Sequence, residues 1–209
     1  MTTGILALWN DCRAGDEDTY EAWYKEEHLP ERLSVPGFKR GRRYRAESAG
    51  PEFFTYYEVE TPDVLTSEAY LARLDDPSDR TREMMTDSFL NMSRTICEVL
   101  GREGDLRGVW AVTATLDKAP DPGALTAVLR SLASAPGIAR AELWGAVDAV
   151  ETSEEERLRG GDSRIGACVM VETFEEAKAR EIAEGLANGL GRPDSAIGVY
   201  RLLCELSVT

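Results

Sequence analysis

The sequence predicts an α+β protein in which one six-element pattern, βαββαβ, occurs twice. Three observations carry this reading. Four pairs of segments recur in the same order in the two halves. Short apolar, strand-like runs are separated by stretches with helical spacing. Hydrophobic residues make up 43% of the 209 positions, enough for a packed core.

The recurrence comes first, because a missed repeat misreads a fold. GILALWNDC (4–12) matches GVWAVTATL (108–116), and VPGFKRGRRYRA (35–46) matches APGIARAELWGA (135–146). FTYYEVETPDVL (54–65) lies beside ACVMVETFEEAK (167–178), sharing Val-Glu-Thr. RTICEVL (94–100) resembles YRLLCEL (200–206), which sets Cys97 opposite Cys204.

In the first half, 4–10 is a short apolar strand. Residues 18–33 place Tyr20, Trp23, Tyr24 and Leu33 at helical spacings behind an acidic first turn at Asp16–Asp18. Pro36-Gly37 ends the connection. Strands over 38–47 and 53–60 are joined by SAGPE, a hairpin signal. A helix follows over 63–75 with Asp63 as its cap, then a helical segment over 79–90 and a strand over 91–100. GREGDL (101–106) reads as the linker between repeats spanning 1–103 and 104–209.

The second half reads as strand 107–116, helix 121–134, strands 138–147 and 164–172, helix 174–190 and strand 196–206. The charged stretch ETSEEERLRGGDS (151–163) reads as a solvated loop. A βαββαβ unit is ferredoxin-like, with helices on one face of its sheet only. The bare faces of two such units cover each other when the sheets pack face to face. The expected result is an α+β barrel with helices outside, closed within one chain.

Charge narrows the function classes. With 38 acids against 24 Lys and Arg, the net charge is −14, which disfavours nucleic-acid phosphates and anionic membranes as partners. No apolar run approaches a bilayer span, and the N-terminus lacks a basic signal-peptide region. Four isolated cysteines, Cys12, Cys97, Cys168 and Cys204, read as reduced thiols, with Cys97 and Cys204 expected buried on the two final strands, so a cytoplasmic location is expected. No HExxH, GxGxxG, GxxxxGK[ST] or GxSxG occurs, and one histidine cannot build a multi-histidine zinc site.

The duplicated pattern and the stretch WYKEEHLPERLSVPGFKRGRRYRA (23–46) resemble the dimeric α+β barrel superfamily, with the EthD-like proteins as the nearest group. The fold resemblance covers nearly the whole chain, the sharper motif only about the first 100 residues. Members usually form the barrel from two identical chains; here it would be a tandem fusion. The superfamily includes cofactor-free monooxygenases, isomerases, cyclases and haem-dependent branches, so it implies an architecture more than a reaction. It also implies that His28 faces a small cavity between helix and sheet.

His28, the only histidine, lies four residues after Tyr24, on one helix face with it. It suits acid–base work near pH 7, or it closes a helix C-terminus, where the dipole favours His⁺. Tyr24 and Tyr44 are candidates to hold a substrate oxygen, or are packed aromatics with paired hydroxyls. Trp23, next to Tyr24, points elsewhere, to line the pocket or pack under the helix. Arg43 either clamps a carboxylate or oxyanion or is neutralised by nearby acids. Glu27 and Glu58 are candidates to orient the imidazole. The second half has no WYKEEH, so one cavity is expected, in the first repeat, with the second repeat as its cover.

The expected activity is cofactor-independent acid–base chemistry on an aromatic, polyketide-like or lactone substrate: isomerisation, cyclisation or dehydration. His28, Tyr44 and Tyr24 form the candidate catalytic set; Trp23, Arg43, Glu27 and Glu58 are candidate substrate contacts. No cofactor or metal is expected, with haem on His28 the one alternative. A non-catalytic ligand-binding or stress-response protein and a cofactor-free monooxygenase are the rival readings. A small molecule is the expected partner, and the chain is expected as a pseudo-dimeric monomer or a homodimer.

Overall fold

A computed structural model describes residues 2–47, 50–148, 152–190 and 196–208. In chain order the elements are β1 (Gly4–Cys12), α1 (Glu17–Trp23), a π-helical turn (Tyr24–His28), α2 (Leu29–Leu33), β2 (Phe38–Ala46) and β3 (Phe53–Val59). A 3₁₀ turn (Pro62–Thr66), α3 (Glu68–Asp75), α4 (Asp79–Asp87) and β4 (Phe89–Glu103) complete the first half. The second contains β5 (Trp110–Leu116), α5 (Pro122–Ser134), β6 (Ile138–Ala146), α6 (Glu154–Arg159), β7 (Ala167–Thr173), α7 (Glu176–Leu190) and β8 (Ile197–Ser207).

The strands close into one antiparallel barrel in the order β1-β3-β2-β8-β5-β7-β6-β4. Each half supplies four consecutive barrel positions, and the halves meet at β2–β8 and β4–β6. Closure leaves no free sheet edge, and it occurs within the single chain.

Alternation along each strand separates three cores. Ile5, Ala7 and Trp9 point into the barrel with Phe54, Trp144 and Tyr200, where Trp9 stacks on Phe54 at 5.1 Å. Leu6 and Leu8 point outward under the first half's helices, with Tyr57 and Ile96. The second half's helices cover Val112, Val169 and Val199 in the same way. Trp9 and Phe38 are both buried, one on each side of the sheet.

Four expectations change. β4 runs to Glu103, so 101–103 are strand rather than linker. The helix expected over 63–75 begins as a 3₁₀ turn, and Ser67, not Asp63, caps α3 by accepting from the Tyr70 N–H. Within 151–163 a short helix forms where a loop was expected. The Ser153 hydroxyl accepts from the Glu156 N–H at its start, and Gly160 in the left-handed conformation ends it. Cys97 is buried as expected, and Cys12 and Cys168 are buried too, but Cys204 is exposed, beyond a register shift between β2 and β8. Ser48 and Ala49 of the SAGPE hairpin lie outside the described residues.

Candidate functional site

The helix from Glu17 to Leu33 changes pitch in its middle. The Leu29 N–H bonds to the Tyr24 carbonyl, five residues back, which defines a π turn. Pro30 follows at once, and it has no N–H to give the carbonyl four residues earlier. The wider turn sets residues four and five positions before His28 both against its ring. Trp23 lies 4.3 Å from the imidazole and Tyr24 4.9 Å, between ring centroids. Trp23 and Tyr24 therefore both touch His28, rather than diverging as expected.

This buried imidazole lines a cavity between helices and sheet, with a volume of about 20 Å³. That is room for about one water. Leu6 and Leu8 of β1 form its floor, with Tyr57 of β3; Met85 of α4 and Phe89 of β4 form an apolar wall. Arg32 of α2, Arg94 of β4, and Glu155 and Arg159 of α6 supply the charge. Expectation had the second repeat merely cover the site; instead α6 contributes two of its charged groups.

Several polar atoms here lack a well-formed hydrogen bond. The His28 Nδ1 and one Arg32 terminal nitrogen, both buried, accept and donate no hydrogen bond, and the Tyr57 hydroxyl beside Tyr24 makes no well-aligned one. Burial, reinforced by the Arg32, Arg159 and Arg43 guanidiniums, holds the His28 pKa well below the ordinary 6.5, so the ring is neutral at pH 7. Burial, with Tyr24 alongside, pushes the Tyr57 phenol well above its usual range. The site thus pairs an available imidazole lone pair with a protonated phenol and fixed positive charge. Such a set can take a proton from carbon and hold the resulting anion.

The other expected residues take several places. Arg43 lies on the same side of the sheet as Tyr24, its guanidinium carbon 3.8 Å from that ring's centre and 4.2 Å from Phe53's, and it pairs with Glu21 at 2.9 Å. It backs Tyr24 and does not line the cavity. Glu27 accepts hydrogen bonds from the Ser78 and Thr81 hydroxyls, and Thr81 in turn accepts one from the Trp23 indole at 3.1 Å. Glu27 therefore anchors the π turn to α4 and has no bond to the imidazole among those described.

Tyr44 and Glu58 are separated from His28 by the sheet. Both point into the barrel, where Tyr44 and Tyr56 donate to Glu172 at 3.1 and 2.8 Å and Arg42 pairs with the same carboxylate. Burial, followed by Tyr56 and Glu172, pushes the Tyr44 phenol well up. Burial raises Glu58, but Arg107 and Arg102 outweigh it and hold its carboxyl below the usual range. The cause is a bulge in β2 between Phe38 and Arg40, which shifts the phase so that Gly41 and Arg43 face the helices and Arg42 and Tyr44 the lumen.

Arg32, Tyr57, Arg94, Glu155 and Arg159 were not anticipated as site residues. Arg32 was legible as the next turn after His28, and Ser153-x-x-Glu156 before Gly160-Gly161 is a helix start-and-stop signal inside the charged stretch. Arg94 and Tyr57 carried no signal apart from strand phase.

With α6 in place, the space beside His28 holds about one water, which leaves no room for a haem in this arrangement. Among the described residues no group of three or more His, Cys, Asp or Glu is placed to hold a metal. No described helix is long and apolar enough to cross a membrane.

No protein-family model and no curated protein matches the chain. Solved structures do. An anthrone oxidase-like protein superposes with a TM-score of 0.61 at 10% identity, covering 99% of this chain and 93% of that one. A candidate monooxygenase from Fusobacterium nucleatum gives 0.59 at 9% identity, covering 99% and 94%. A candidate chlorite dismutase gives 0.59 at 16% identity, covering 98% and 96%. At these identities the likeness concerns the fold, and the chain is an α+β barrel of ferredoxin-like build.

Proposed function

We propose that this chain is a small-molecule enzyme whose active site is the His28 cavity, and that its central step is proton abstraction from carbon. One observation carries the reading: a buried, neutral imidazole whose Nδ1 makes no hydrogen bond lines a cavity that also holds Arg32 and Tyr57. His28 takes the proton. The Arg32 guanidinium and the Tyr57 hydroxyl stabilise the enolate or carbanion that forms. Tyr24 packs the imidazole in place, and Arg43 and Glu27 hold Tyr24 and the π turn. Tyr44 and Glu58 serve the barrel interior in this reading and not the reaction. Return of the proton to a different atom gives isomerisation of an aromatic, polyketide-like or lactone substrate; attack of the carbanion on a carbonyl carbon of the same molecule, with the proton then going to the alkoxide, gives cyclisation. The EthD-like resemblance of residues 23–46 supports a role for His28.

Deuterium exchange tests this. The protein should incorporate solvent deuterium into an enolisable aryl ketone or a butenolide, and His28→Gln should lower the rate at least about 10²-fold. Equal rates in the two proteins would end the assignment.

A second reading keeps the same first step and is favoured by the fold neighbours named as oxidase-like and monooxygenase. O₂ adds to the carbanion, protonation gives a hydroperoxide, and loss of water leaves a carbonyl. One O₂ consumed per product formed selects this route; turnover under argon selects isomerisation.

A further inference from the structure

The cavity beside His28 holds opposite charges that come from distant parts of the chain. Arg32, from the first repeat, is about 2% exposed. Its carboxylate partner inside the cavity is Glu155, 123 positions away on α6 and equally well buried. Glu31 approaches Arg32 only at 3.6 Å, from the more exposed side. Arg159 enters from the same helix and is held from behind by Asp162 at 2.6 Å. The Arg94 guanidinium donates to a phenol, Tyr70, at 3.2 Å.

Three guanidiniums thus meet at a cavity into which a single carboxylate, Glu155, projects. The atoms there without a well-formed hydrogen bond are of the kinds an oxyanion needs: an Arg32 N–H, which Glu31 approaches only at 3.6 Å, and the Tyr57 hydroxyl can donate to it. The walls include the rings of Tyr24, Phe89 and Tyr70, which suit a flat apolar body. The cavity itself admits only about a water, so a larger ligand must displace something. α6 is the element suited to leave. It has six residues, ends on Gly160 and Gly161 with φ of 85° and 102°, and brings Leu158 as its packed apolar side chain. Its other anchors are single contacts: the Glu154 N–H bonds to Asp75 at 3.0 Å, Glu154 pairs with Arg82 at 3.6 Å, and Arg159 reaches the Met85 sulfur at 3.2 Å and lies 6.0 Å from the centre of the Phe89 ring.

We infer that the His28 cavity takes a small aromatic carboxylate, whose carboxylate replaces that of Glu155 on Arg32 as α6 withdraws. The exchange swaps one anion for another, so the buried guanidinium is never left without a partner. The inference rests on the cavity being the active site and names its substrate class. It also gives the second repeat a role in admission: Glu155 is an internal stand-in that a ligand must outcompete.

Calorimetry with benzoate, and with neutral benzamide of the same shape, tests this on the full chain. Benzoate should bind the unmodified protein at least tenfold more tightly than benzamide. Glu155→Gln removes the internal competitor and should tighten benzoate binding at least tenfold while leaving benzamide unchanged. Adding Arg32→Gln to Glu155→Gln should abolish the preference for benzoate in a protein that still unfolds cooperatively. A second readout needs no variant: benzoate should speed amide hydrogen exchange across 154–159 in the unmodified protein. The inference is overturned if benzoate fails to bind, if the two ligands bind alike, if Glu155→Gln binds benzoate no more tightly, or if exchange in α6 is unchanged or slowed. The outcomes separate from the catalytic reading. Benzoate binding with these features but no His28-dependent deuterium exchange overturns only the catalysis, and His28-dependent exchange without benzoate binding overturns only this inference.

Discussion

The Arg32 guanidinium and the Glu155 carboxylate, 123 positions apart, form an ion pair in which both side chains are at least 96% buried. This contact joins the second repeat to the cavity of the first. A buried pair is strongly destabilised by loss of one member, because the other charge stays in a low dielectric without compensation. Glu155→Ala should therefore cost about 3–5 kcal/mol. Arg32→Met with Glu155→Leu should recover most of that loss. Urea unfolding of the three proteins measures this; a single variant as stable as the unmodified chain would mean the pair is not buried in solution.

Acid stability follows from His28. Its folded pKa lies well below the ordinary 6.5 because burial, then Arg32, Arg159 and Arg43, disfavour the imidazolium. Below pH 6.5 the unfolded chain takes up this proton and the folded chain does not. The contribution of His28 to stability is therefore complete above that pH and is lost as pH falls toward the folded pKa, with a slope of up to about 1.4 kcal/mol per pH unit. His28→Gln should flatten the stability profile over that window. An unchanged profile would show that His28 titrates alike in both states.

Tyr44 separates the two faces of the sheet. Its hydroxyl donates to Glu172 inside the barrel, where Tyr56, Arg42 and the Gly108 N–H also bind that carboxylate. Tyr44→Phe should cost about 1 kcal/mol of stability, the net worth of one hydrogen bond. Deuterium-exchange activity should stay within about twofold, since the sheet lies between Tyr44 and His28. A loss comparable to that of His28→Gln would place Tyr44 in the site after all.

How far the chain can be read without its structure differs by element. The barrel was legible because a single-chain repeat of βαββαβ has one economical way to cover two bare sheet faces. The contact of Tyr24 with His28 was legible from four-residue spacing. Trp23 joins them only because Pro30 follows a π turn, and the expected α-helix spacing turns Trp23 away. The side taken by Tyr44 depends on one extra residue in β2, since a bulge inverts every residue beyond it. Glu155 and Arg159 were hidden by composition. A run of acids and glycines reads as solvated surface, and six residues are too few for helical periodicity to show.

The most direct test of the account is an NMR titration of the His28 imidazole, alone and with benzoate. A single histidine makes the assignment unambiguous. The account predicts a ring that stays neutral well below pH 6.5 and a pKa that rises with benzoate, because the ligand keeps an anion on Arg32 while Arg159 leaves with α6. An ordinary titration near 6.5, indifferent to benzoate, would contradict it and place His28 at a solvated helix end with no part in a site.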